Sequence, residues 1–66
     1  MAKRYLLSHY RGGQLEHQNV IKYAESRIGS DPVTKIPVYV RGHNLRVGDH
    51  TTAKIEDRVA ILERIE

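Results

Sequence analysis

No cysteine occurs in these 66 residues, and that absence limits what the chain can fold into more than any other feature. It excludes disulfide staples, a thiolate nucleophile and the structural zinc sites built on cysteine. A chain this short removes only about 60% of its unfolded surface from water. Its stability must therefore come from an apolar core, from dimerisation, or from a metal site of histidines and carboxylates. Length predicts one small domain over 1–66.

Glycine and proline divide the chain into four segments. The breaks fall at Arg11-Gly12-Gly13, at Gly29-Ser30-Asp31-Pro32, and at Gly42-His43-Asn44 with Val47-Gly48-Asp49, each a cluster of turn-compatible residues. The first segment, Lys3 to Tyr10, is aromatic-rich and free of breakers and reads as a strand. Alternation puts Tyr5, Leu7 and His9 on one face and Leu6, Ser8 and Tyr10 on the other. In the second, Gln14 to Ile28, the apolar-side residues His17, Val20, Ile21, Ala24 and Ile28 recur at the spacing of a helix stripe, with Gly29 as its stop. Ile36, Val38 and Val40 alternate with Lys35, Pro37, Tyr39 and Arg41, which is a half-buried strand. Pro37 has no amide donor, so this strand lies at an edge or places the proline at a non-pairing position. Residues 51–65 fit either a helix stripe or two short strands, Thr51–Ile55 and Val59–Leu62, joined at Glu56-Asp57. The strand pair is the preferred reading.

The expected fold is α+β, in the order β-α-β-β-β, with one helix packed on a three- to four-stranded, mostly antiparallel sheet or partly open barrel. Its core takes the helix stripe with Leu7, Ile36, Val38, Val40, Ile55, Val59 and Ile61. The alternative order, β-α-β-α with a C-terminal helix, leaves two strands and calls for dimerisation.

Catalytic chemistry finds little support. Ser8 and His9 are neighbours that point to opposite faces of a strand, so no serine-to-histidine hydrogen bond forms. The glycines match neither a phosphate-binding loop nor a dinucleotide fingerprint. Histidines at 9, 17, 43 and 50 lack ligand spacing; His43 and His50 read as solvated loop residues, with a zinc site of His43, His50 and Asp49 as the alternative, and His17 reads as a half-buried, hydrogen-bonded residue on the apolar helix face. The expectation is a non-enzyme without cofactor or metal. The longest apolar stretches, such as Val59 to Leu62, fall far short of the roughly 20 residues that span a bilayer. Lys3-Arg4 is followed only by Leu6 and Leu7, too little for a secretory signal. No membrane partner and a cytoplasmic location are expected.

Charge gives the best functional lead. The net charge is +3, but residues 1–46 carry eight Lys/Arg against three acids, whereas residues 47–66 carry three against five. Such asymmetry suits an anionic partner, and nucleic acid is the commonest one for a small basic protein. Lys3, Arg4, Arg11, Lys22, Lys35, Arg41 and Arg46 are the phosphate-binding candidates, with Tyr5 and Tyr39 as stacking faces for bases. The expected activity is RNA or DNA binding with weak sequence specificity. The alternative is a protein-interaction or assembly component such as a homodimer.

The span from Lys35 to Glu66 resembles the second half of a TRAM domain, a small RNA-binding β-barrel, through Ile36-Pro37-Val38-Tyr39-Val40, Gly42, Val47-Gly48-Asp49 and Ala53-Lys54-Ile55-Glu56. The likeness covers under half the chain, and the first half departs from it by its helix stripe. It implies RNA over DNA, and strands at the C-terminus.

Overall fold

The computed structural model describes residues 2–66. Six strands follow in order: β1 (Tyr5–Arg11), β2 (Gln14–Ile21), β3 (Glu25–Ser30), β4 (Pro37–Arg41), β5 (His50–Ile55) and β6 (Arg58–Arg64). They form an antiparallel four-stranded sheet, β2-β1-β6-β5, and a separate β3-β4 hairpin. Among the described residues there is no helix, and so none long and apolar enough to cross a membrane.

The α+β expectation is thereby corrected to an all-β fold, in both its β-α-β-β-β and β-α-β-α forms. The predicted helix over Gln14 to Ile28 is instead β2, a bend at 22–24 and β3. The cause lies just upstream. Gly12 and Gly13 have φ of 58° and 82°, the paired positive values of a two-residue hairpin loop. That loop delivers Gln14 opposite Arg11, and the ladder then runs back to Tyr5 opposite Ile21. Helix preference over Asn19, Val20, Ile21 and Tyr23 is modest, and pairing with β1 overrides it. The C-terminal strand pair does form, with Glu56 at φ 53° in the connecting turn. The Gly12 N–H donates to the Asp57 carbonyl at 2.9 Å, tying the two turns together.

Register explains the core. Across β1 and β6, Tyr5 faces Arg64, Leu7 faces Leu62, His9 faces Ala60 and Arg11 faces Arg58, so these eight side chains share one sheet face. Tyr5, Leu7, Ala60 and Leu62 are buried there against Ile28 of β3 and Val40 of β4, with Ile21, Ala24, Val38, Ala53 and Ile55 packed around them. Five expected core residues lie outside it: Val20 is 56% exposed, Ile36 is 63% exposed, His17 is exposed, and Val59 and Ile61 are half-buried on the opposite face of the sheet from Ala60 and Leu62. Val20 pairs with Leu6, on the sheet face turned away from the hairpin. Ile36 falls in the turn before β4. There Asp31 accepts backbone N–H groups from Thr34 and Val33, both at 2.9 Å, which hold its carboxyl below the usual range.

Pro37 opens β4, where a missing donor costs least. Gly42, at the end of β4, is needed for space. A Cβ there would lie 2.6 Å from Leu45 Cδ1 and 3.1 Å from Leu62 Cδ2, and Leu62 is fully buried. Gly42→Ala is expected to destabilise the fold by about 1–3 kcal/mol through overpacking. Urea denaturation measures this; an unchanged midpoint would show that Leu45 simply swings aside.

Candidate anion-binding cleft

The buried face of the sheet changes character along its strands. At one end are Tyr5, Leu7 and Leu62; two pairs further on, the same rows place His9, Arg11 and Arg58. β2 extends the gradient, since Ile21 pairs with Tyr5 and His17 pairs with His9. The β3-β4 hairpin covers the apolar end. At the basic end a cleft of ≈ 330 Å³ opens, lined by His9, Arg11, Glu16, His17, Arg27 and Arg58, with Tyr10 and Ile28.

Two strand irregularities border this cleft. His17 pairs with His9 but Leu15 pairs with Tyr10, leaving Glu16 as an extra residue in β2. In β3, Arg27 pairs with Tyr39 and Gly29 with Val38, leaving Ile28 extra. The β1-β6 and β5-β6 ladders show no such shift. A bulge re-aims the side chains around it and recurs next to functional sites. Here Glu16 reaches Arg11 Nε at 3.5 Å, and Ile28 reaches the core. Gly29, at φ 154°, leaves room for Arg58: a Cβ would sit 3.3 Å from Arg58 Nη1.

The electrostatics favour an anion. Arg27 and Arg58 are in no ion pair among the described residues, and Glu16 is the cleft's only acid. Arg27 Nη2 also donates to Ser30 Oγ at 2.7 Å. The His9 and His17 rings stack, with centroids 4.4 Å apart and planes 26° from parallel. His9 titrates below its ordinary value of 6.5, first because burial strips water from the charged ring, then because His17 repels it; Glu16 opposes both.

The sequence-derived candidates do not form one surface. Lys3 and Arg4 line a shallow hollow with Val47 and Arg64 at the other end of the sheet, and Arg4 faces Glu66 at 3.4 Å. Arg46 lies in the adjoining loop, its N–H donating to Asp49 Oδ2 at 3.3 Å. Lys22 is in the bend after β2, and Lys35, at φ 63°, is in the turn before β4. Tyr39 and Arg41 do come together, with the guanidinium carbon 5.0 Å from the ring centroid, while Arg41 Nε also contacts Glu25 Oε2 at 3.2 Å. Tyr5 is 2% exposed, so its ring offers no stacking face. Only Arg11 of the candidate set lies in the cleft. Arg27, Arg58, His9 and His17 were missed, because their meeting depends on strand register. His43 Nε2 is 3.5 Å from Glu25 Oε2, and among the described residues no group of three ligating side chains could hold a metal ion.

The depressed His9 value has a stability consequence. The unfolded chain binds this proton with ordinary affinity and the folded chain more weakly, so the imidazole favours folding above 6.5, and that contribution is lost as pH falls toward the folded value. In an NMR titration, His17→Gln should raise the His9 pKa by removing the repulsion, and Glu16→Gln should lower it further. The opposite order would contradict the assignment.

Neither protein-family models nor curated proteins nor solved structures match this chain.

Proposed function

We propose that the protein is a non-enzymatic nucleic-acid-binding protein that holds phosphate with the arginine cleft. The observation that carries this reading is the meeting of Arg11, Arg27 and Arg58 in one cleft with a single acid. Arginine presents a planar fork that matches phosphate oxygens and stays charged at any working pH. Tyr39, with Arg41 beside it, adds an aromatic surface of the kind on which unpaired bases stack. RNA is favoured over DNA by the TRAM-like motifs of the C-terminal half. Sequence specificity is weak in this reading, because phosphate contacts position a strand without reading its bases.

A second reading, assembly of copies into a homodimer, draws on a different feature. By register, Leu6, Tyr10, Leu15, Val20, Val59 and Ile61 lie on the sheet face away from the hairpin, and Leu15 and Val20 are 49% and 56% exposed.

Fluorescence anisotropy with single-stranded RNA and duplex DNA, at about 50 and 200 mM salt, tests the first reading, for which affinity falls steeply with salt. Arg27→Gln and Arg58→Gln should each reduce the logarithmic salt slope by about 0.7–1. Absence of binding at the lower salt would retire this reading. Light scattering over a concentration series tests the second, in which Val20→Lys abolishes any assembly.

A further inference from the structure

We infer that the cleft receives a terminal phosphate, the phosphomonoester at the end of a nucleic-acid strand, and that His9, stacked on His17, takes up a proton as it enters. This rests on the nucleic-acid reading and narrows it from any phosphate to one at a strand terminus. The first ground is how charge is distributed. Arg11, Arg27 and Arg58 converge on one cleft, whereas Lys3, Arg4 and Arg64 lie at the Tyr5 end of β1, six residues or about 20 Å away at strand rise. A continuous run of phosphodiesters, each with one charge, needs a track of cations. Here there is instead one concentrated locus. A phosphomonoester matches it, since its second ionisation, near pH 6, puts close to two charges on one phosphorus at neutral pH.

The second ground is the stack itself. Every group lining the cleft is accounted for: His9, Tyr10 and Arg11 from β1, Glu16 and His17 from β2, Arg27 and Ile28 from β3, and Arg58 from β6. The acids of the neighbouring turn, Glu56 and Asp57, do not line it. In the empty cleft, loss of water first and the partner ring second disfavour a protonated His9, and Glu16 favours it. A bound dianion reverses that balance through its own negative charge and by supplying acceptor oxygens to the imidazole N–H groups. Affinity for the proton and affinity for the phosphate therefore rise together.

The test is isothermal calorimetry of the full chain at pH 7, in two buffers of different ionisation enthalpy. The ligands are a short single-stranded RNA bearing a 5′- or 3′-phosphate, the same RNA with hydroxyl ends, and a nucleoside monophosphate. The phosphorylated strand should bind at least tenfold tighter than its hydroxyl counterpart, with net uptake of roughly half to one proton. Arg58→Gln and Arg58→Lys should both lose that preference, and His17→Gln should weaken binding and flatten its pH dependence. Lys54→Gln, on the opposite sheet face by register, should change neither. Equal affinity of the two strands would overturn the inference while salt-dependent binding left the nucleic-acid reading standing. Binding of the monophosphate without either RNA would overturn the nucleic-acid reading and keep the phosphate site. Heats independent of buffer would overturn the proton step.

Discussion

The pairing of β1 with β6 is the contact on which the rest of the molecule depends. Seven residue pairs join the strands, and backbone N–H groups of Ile65 and Glu66 add bonds to the Arg4 carbonyl at 2.9 and 3.2 Å. Each strand is also half of a hairpin, β1 with β2 and β6 with β5. A lone two-stranded hairpin is marginal in water; joined through β1-β6, the two become a four-stranded sheet with a buried row. Four of the six buried apolar residues, Tyr5, Leu7, Ala60 and Leu62, stand along this single ladder. The pairing bridges some fifty residues of chain, so its closure entropy must be overcome before the core rewards it, which places folding with slow, non-local β topologies.

The same ladder accounts for the cleft. Positions of equal parity on β1 and β6 share one face, so the rows that begin with Tyr5 and Leu62 necessarily carry His9, Arg11 and Arg58 further along. The middle hairpin is too short to cover both ends. Its buried residues, Ile28 and Val40, are spent on the apolar end, and the bulge at Ile28 turns that side chain inward while Arg27 lines the cleft. Core and candidate site are therefore one continuous surface, divided by where the second layer stops.

Alternation within single segments was legible in the sequence, and pairing between segments was not. The face assignment of Tyr5, Leu7 and His9, the strand of Val38 and Val40, the edge character of Pro37 and the C-terminal strand pair all follow from local pattern. Gln14 to Ile28 failed because its apolar residues satisfy a 3, 4 spacing by coincidence: a bulge at Glu16, a bend at 22–24 and a second bulge at Ile28 shift the strand period at three points. Gly12-Gly13 carried the missing signal, since two adjacent glycines between strand-compatible runs specify a tight hairpin. Tyr5 was assigned to the expected site instead of the core, and Leu62 was left out of the core, for a related reason. A tyrosine near a basic segment resembles a stacking residue until the strand beside it is known. Arg58 was invisible as a site residue because it lies 47 positions from Arg11 and opposite it only through β6.

Holding two imidazoles and three guanidiniums around one cleft works against the stability of the empty fold. The cost grows on acidification, because protonation of His9 adds charge to a region already short of anions and partly stripped of water. An anion that enters the cleft acts on the folded chain alone, since the unfolded chain does not assemble these residues, and so it stabilises by mass action. For an anion whose own charge does not change, this effect grows as His9 takes up a proton. The chain keeps the apolar end of the β1-β6 face for cohesion and gathers positive charge at the other end, where the second layer stops.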